Sequence, residues 1–510
     1  MQKSYTKNYL KIYLWQGVSL VLNFLSMFIV IPYLTSEPEI YGIYTVCISV
    51  SIFLAYADLG FLSAGQKYAA EYFAKGKRQE EIKVIGFTTF ILLVFLLFFS
   101  VGFLTLSFHP EFLIKNLAFE KQETIASSLL LILALFTPVT LLQRLLQMIY
   151  GIRLEDYIIQ RTNIVASLLK IISVLCFFRN GEYHIVGYFL FIQIINLFAA
   201  LLTLFIAKKR YNYDFKFLLK SIHFDKNVFA KTKTLAFTSL YLTFTWILYY
   251  ELDPAVIGKL LGPNQVAIYA IGLTLLSFFR SILGIIFSPF NARFNHFVGV
   301  GDEEGLKSLY FKVITLLAPI VVFPIVTITL LASPLILSWV GADYTESVGI
   351  TQFLVLCNLF AFITYPTGIF LMAKERIKEI YLINTLIPII YWTGIISTYH
   401  FLGLNSFAIF KLIAFAGSAI GYYVIMISFL KIGVFQSIKE FLIPMLLPLL
   451  FIIATSYITI DHLPVEKSGI NFLIVAIVAA FIMAFAFTIQ YLVSSKLRKT
   501  LTSIIATFSR

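Results

Sequence analysis

Residues Val84 to Phe108 read VIGFTTFILLVFLLFFSVGFLTLSF, a run without a single charged side chain. It is longer than the helix of a soluble core, and long enough to cross a bilayer. The rest of the chain is built the same way. Of its 510 residues 60% are hydrophobic, 17% aromatic and only 13% charged, against about a quarter charged in soluble domains. Mean hydropathy is +0.90. This is the composition of an all-α polytopic membrane protein.

The apolar pattern predicts about 14 transmembrane helices. They begin near residues 11, 41, 83, 125, 156, 184, 234, 265, 309, 347, 379, 404, 440 and 469. With the N-terminus inside, about 29 of the 39 Lys and Arg fall in cytoplasmic loops and tails, five outside and five within spans. The net charge of +13 is therefore a topology signal and implies no nucleic acid. An even number of spans returns Lys496, Arg498 and Lys499 to the cytoplasm beside the N-terminal Lys3, Lys7 and Lys11. The first apolar run reaches Leu34, too long for a signal-peptide core, and reads as an uncleaved span.

Several classes of chemistry find no support. Cys47, Cys176 and Cys357 fall inside spans, and the six His are scattered without metal-ligand spacing. No cofactor is implied, and no GxxxxGK[ST] loop is present. The longest loop, Lys208 to Lys233, is too short for a folded domain, so the loops offer no place for an enzyme's outer carboxylates. A transporter or channel is what remains.

Internal repetition points to a transporter. P-x-x-x-x-I-Y occurs at Pro38–Tyr44 and again at Pro263–Tyr269. IRLEDYIIQRTN, ending at Asn163, echoes AKERIKEIYLIN, ending at Asn384. The expected division is an N-lobe over 1–233, a C-lobe over 234–433, and two further helices with a cytoplasmic tail over 434–510.

Polar residues recur at helical spacing within the spans. They are Gln16, Ser19, Asn23 and Ser26 in the first; Ser51 and Asp58 in the second; Asn163, Ser167 and Lys170 in the fifth. The seventh has Thr238, Tyr241, Thr245, Tyr249 and Asp253, and the eighth Ser277, Arg280, Gly284 and Asn291. Ser and Thr stripes alone also serve as glue between helices. A mid-span charge costs about 2.5–3.5 kcal/mol on insertion scales, so Arg280, Lys170 and Asp58 are expected to line a polar cavity or to form internal ion pairs. Arg144, Arg161 and Lys411 lie nearer span ends, where snorkelling suffices. In WILYYELDPAVIGKLLG (Trp246–Gly262), Asp253-Pro254 reads as a helix restart with Asp253 as N-cap, or as an acid facing the cavity at a hinge.

Three stretches resemble the bacterial polysaccharide transporter family. ADLGFLSAGQKYAAEYFAKGK (Ala57–Lys77) is similar to its D-x-G-x-x-x-A-x-x-[KR]-x-x-A segment. DPAVIGKLLGPNQVAIYAIG (Asp253–Gly272) is similar to its D-x-x-[IV]-[IL]-x-x-x-[LF]-G pattern, and SPFNARFNHFVGVGDEEGLKSLY (Ser288–Tyr310) resembles the loop after the eighth span. The family includes Wzx-type oligosaccharide flippases and belongs to the multidrug/oligosaccharidyl-lipid/polysaccharide exporter superfamily. The resemblance implies two six-helix lobes forming a V around a cavity lined mainly by spans 1, 2, 7 and 8 and their lobe equivalents. It implies a bacterial inner-membrane flippase for an undecaprenyl-diphosphate-linked oligosaccharide, an O-antigen, capsule or exopolysaccharide unit. Both termini would be cytoplasmic, and membrane lipids, a polysaccharide polymerase and chain-length proteins would be its partners. Arg280, Lys170, Asn23, Gln16, Tyr241 and Tyr249 would contact that substrate, with Asp58, Asp253 and Pro254 in coupling or gating. The rival readings are a cation-coupled multidrug exporter, which would want an anionic cavity, and a polytopic membrane enzyme of polysaccharide assembly.

Overall fold

The computed structural model describes residues 2–117, 119–179 and 182–508; the side chains of Lys3 and Lys7 lie outside what it describes. Every regular element is helical among the described residues, and the chain forms two compact units, Met1–Ala267 and Ile268–Arg510.

The first unit contains α1 (Gln2–Leu34), α2 (Pro38–Val50), α3 (Ile52–Ala55), α4 (Phe61–Ala74), α5 (Arg78–Phe108), α6 (Glu120–Ile152), α7 (Tyr157–Phe177), α8 (Ile185–Tyr211), α9 (Phe215–Lys220), α10 (Lys226–Tyr250) and α11 (Asp253–Leu260). Helix α12 (Pro263–Gly299) carries the chain into the second unit. There follow α13 (Glu303–Leu330), α14 (Ala332–Val340), α15 (Ser347–Leu356), α16 (Ala361–Ala373), α17 (Ile377–Leu402), α18 (Asn405–Leu430), α19 (Val434–Ser437), α20 (Ile443–Thr459), α21 (Gly469–Val493) and α22 (Ser495–Phe508).

Among the described residues eleven helices are long and apolar enough to cross a membrane, or twelve if α15 and α16, bent by 42°, form one. The two remaining predicted spans, the second and the seventh, are present but broken. Apolar side chains point outward from the helices, as a lipid solvent requires; Phe98 on α5 is 71% exposed and Phe485 on α21 59%. The last pair, α20 and α21, packs on α13 and α14 inside the second unit, where Ser468 N donates to Ser338 O at 3.1 Å.

The two breaks have local causes. In the second span Leu59 (φ 47°) and Gly60 (φ 79°) adopt the left-handed region, and α4 restarts at Phe61. Asp58 Oδ2 accepts the Leu62 N–H at 3.0 Å, satisfying a donor that a new helix leaves open. Gly60 also has no room for a side chain, since a Cβ would lie 2.3 Å from Ala236 O on α10. In the seventh span α10 ends at Tyr250 and α11 begins at Asp253. Here the expected N-cap needs correction: Leu252 occupies the cap, and Asp253 and Pro254 stand in the first turn, where an acid suits the helix dipole and the missing proline N–H costs nothing. Asp253 is fully buried where α11 packs on α2.

The repeated motifs carry matching backbone features. Pro38 and Pro263 each open a helix, and Gly42 in the first packs against Pro263: a Cβ on Gly42 would fall 1.8 Å from Pro263 O. Leu154 (φ 54°) and Glu375 (φ 57°) occupy equivalent places in the second echo and both turn left-handed. So do Asn212 and Lys431, which end α8 and α18. Lobes bounded at 233 and 433 are thus a proposal about internal symmetry, while compactness divides the chain near 267.

One end of the first unit is locked by charge. Arg153 Nη2 donates to Glu81 Oε1 at 2.7 Å, with side-chain exposures of 7% and 0%. Its guanidinium lies 4.7 Å from the Phe73 ring and 4.9 Å from the Tyr211 ring. Arg210 holds Glu155 through two bonds of 2.7 Å, and Tyr211 donates to the same carboxylate. These contacts join the starts and ends of α5, α6, α7 and α8 around the polar space described next.

Candidate functional site

Inside the first unit α1, α2, α6, α7 and α8, with Leu54 of α3 and Gln66 of α4, line a cavity of about 880 Å³. Each helix contributes a stripe at steps of three and four residues. Helix α1 gives Gln16, Ser19 and Asn23; α6 gives Thr140, Gln143, Arg144 and Gln147; α7 gives Gln160, Asn163, Ser167 and Lys170; α8 gives Gln193, Asn196 and Thr203. Tyr44 and Ser51 come from α2 and its end, and Asp156 from the turn before α7.

The lining has two properties that matter. Several of its amides are not engaged by the protein: among the described residues no hydrogen-bond partner is found for the side chains of Asn23, Asn163, Gln193 and Asn196. Asn23 and Asn163 are exposed and Gln193 and Asn196 half-buried, so these amides stand open to whatever fills the space. Its charge is mainly positive. Among the described residues neither Lys170 nor Arg144 makes an ion pair within 4 Å; Arg144 donates to Gln147 Oε1 at 3.4 Å, and its charge also acts on the Asp58 carboxylate. Asp156 is the acid of the described lining, and burial pushes its carboxyl above the usual value, which disfavours its negative form. A cavity with two cations, several amides without a protein partner, and the rings of Tyr44 and Phe189 can hold an anionic, hydroxyl-rich guest.

The sequence-predicted residues divide. Gln16, Asn23 and Lys170 share this cavity. Tyr241 and Tyr249 do not line it: Tyr241 is exposed on α10, and Tyr249 is buried with its ring 4.8 Å from Tyr250 and 6.0 Å from Trp246. Arg280 belongs to the second unit, half-buried on α12, where the Tyr365 hydroxyl donates to its carbonyl at 3.5 Å. Asp58 lies at the break before α4 and Asp253 and Pro254 at the break before α11; none of the three lines the cavity.

Arg144 was expected to snorkel, yet it faces the cavity. Its signal was available: Thr140, Gln143 or Arg144, and Gln147 form a stripe as regular as that of the first span. The fifth-span stripe, which the resemblance did not lead one to expect, supplies more of the lining than the second.

No protein-family model matches the chain, and no curated protein matches it in sequence. Solved structures do match. The lipid II flippase MurJ, in an inward closed conformation, aligns with a TM-score of 0.66 over 94% of this chain and 98% of that one, at 14% identity. An inward-facing multidrug resistance MATE family transporter of the MOP superfamily gives 0.62 over 81% and 95%, also at 14% identity. A MOP superfamily transporter from Pyrococcus furiosus, described by a reversed polarity of its binding pocket, gives 0.54 over 84% and 97% at 13% identity. This chain has the fold of these membrane transporters.

Proposed function

We propose that this protein is a flippase of the MOP superfamily that moves a polyprenyl-diphosphate-linked oligosaccharide across the bacterial plasma membrane by alternating access, with both termini cytoplasmic and no catalysis. The observation that carries the reading is the cavity: Lys170 and Arg144 face about 880 Å³ of polar space without an ion pair among the described residues. Inserting such charges costs kilocalories, and an anionic guest removes part of that cost. A diphosphate supplies the anion, and sugar hydroxyls supply partners for Gln16, Asn23, Asn163, Gln193 and Asn196. Arg280, Tyr241 and Tyr249 are proposed as further contacts along the transport path. A cation-coupled drug exporter of the same fold would want acids where this cavity carries Lys and Arg.

The test is charge reversal in the full-length protein, with glycan display and membrane protein level measured together. Lys170→Glu and Arg144→Glu should each lose most export at normal protein level, while Lys170→Arg keeps much of it. Normal export by both reversal variants would sink the reading.

A further inference from the structure

A second compartment adjoins the polar cavity. On the outer side of the same two helices, α7 and α8 leave a groove of about 540 Å³ lined almost wholly by apolar side chains, among them Val165, Leu169, Phe198 and Leu202. Along α7 it runs from Ile158 to Leu169, about 16 Å at 1.5 Å per residue. Thr162, Ala166 and Ala199 line both the groove and the polar cavity, so a small-residue seam is all that parts them. The one charge in the groove is Arg161, at the end near the start of α7, with its guanidinium 5.1 Å from the Trp15 ring.

A polar cationic chamber, an apolar channel beside it and a cation where the channel starts match the parts of one molecule: sugar, hydrocarbon chain and phosphate. We infer that the α7–α8 groove holds the first part of the polyprenyl chain of the substrate while its head group occupies the cavity, Arg161 marking the phosphate end. The inference rests on the flippase reading and adds the tail's location to it. Bilayer hydrocarbon is as apolar as Val165 or Phe198, so the groove adds little affinity. Its effect is positional: it fixes the tail against α7 so that the head group enters across the Thr162–Ala166–Ala199 seam.

The experiment uses the full-length protein in vesicles of phosphatidylethanolamine and phosphatidylglycerol, with radiolabelled undecaprenyl diphosphate as probe. A photoreactive amino acid replaces Val165 or Phe198 in the groove, or Phe98 or Phe485 on the lipid face as controls. Groove positions should capture the probe about tenfold better than controls, because the head group bound in the cavity tethers the tail beside them. Unlabelled undecaprenyl diphosphate should compete, and excess phosphatidylglycerol should not. Ala199→Trp, which fills the seam, should abolish the enrichment. Equal capture at the controls, or equal competition by phosphatidylglycerol, makes the groove ordinary lipid surface and overturns the inference. Native mass spectrometry of the same probe on wild type and Lys170→Glu reports the cavity separately. Binding lost in Lys170→Glu without groove capture discards the tail site and keeps the flippase reading; no binding to the wild type discards both.

Discussion

Asp58 carries two incompatible expectations, and substitution separates them. As a coupling acid it would need its charge; as the group that ends the break before α4 it needs only an acceptor oxygen. The structure gives the second role a geometry: the Leu62 N–H donates to Asp58 Oδ2 at 3.0 Å, with Leu59 and Gly60 held left-handed between them. Asn offers the same acceptor oxygen two residues ahead of the Gly60 cap, so Asp58→Asn should keep the bond and lose only the charge, which acts on the helix dipole and on Arg144, about 0.3–1 kcal/mol. Asp58→Ala removes the acceptor and should cost about 0.5–2 kcal/mol, a several-fold change in the folded population. The assay pairs thermal unfolding of the detergent-solubilised protein with glycan export at matched protein level. Capping predicts that Asp58→Asn melts close to wild type and exports, while Asp58→Ala melts lower. If Asp58→Asn abolishes export at wild-type stability, the carboxylate is required as a charge and the capping argument fails.

Gly42→Ala should destabilise by about 1–3 kcal/mol or more, because the added Cβ meets the Pro263 carbonyl oxygen at 1.8 Å and that backbone cannot swing aside; an unchanged melting temperature would show that the two helix starts are not in contact. Glu155 lies outside the spans. Burial works to raise its carboxyl, but bonds from Arg210 and Tyr211 overcome this and hold it below the usual glutamate value. A depressed value contributes stability above the unfolded pKa of about 4.3, lost as pH falls through the folded value. The melting difference between wild type and Glu155→Gln should therefore be full near neutrality and close in acid, and a gap that widens in acid would contradict the sign. Pro254→Ala should let α10 run on toward α11, slowing transport while membrane insertion stays normal; wild-type rates would leave Pro254 a structural residue only.

The fold was readable because its determinants are local. A charge-free run such as Val84–Phe108 has one stable solution in a bilayer, and twelve of the fourteen expected spans need no further information. The second and seventh broke for reasons also written locally, Leu59-Gly60 in one and Asp253-Pro254 in the other. Of the two, the sequence expectations held only the break at Asp253-Pro254, with its cap one residue late: Asp before Pro favours an N-cap reading, but the turn at Glu251–Leu252 brings the chain into the helix one residue earlier. The site was half readable for a different reason. A stripe shows that one face of a helix is polar without showing which other faces it meets. Gln16 and Asn23 on α1 were visible, as was Lys170 on α7, but their meeting with Arg144 on α6 and Asn196 on α8 depends on tertiary packing. Tyr241 and Tyr249 fit the same rule of spacing and lie elsewhere.

The most recognisable segments therefore do mainly a different job from the cavity, to which Ala57–Lys77 gives one side chain, Gln66. The D-x-G stretch at Asp58–Gly60 and the D-P pair at Asp253-Pro254 both fall where a span stops and restarts. A break of this kind demands specific residues, since only certain side chains cap a helix or enter the left-handed region. A polar lining demands much less: Gln, Asn, Ser or Thr at any of a dozen positions can face a sugar, and a different guest needs only a different distribution. Motif-level resemblance in such a chain reports how the helices are hinged. Under the proposed function, the guest is written mainly outside the hinge segments, with Arg144 and Lys170 selecting the diphosphate and the amides of α1, α7 and α8 selecting the sugar. Exchanging those amides among Asn, Gln and Ser should then change which oligosaccharide is carried while the hinges, and the fold, stay as they are.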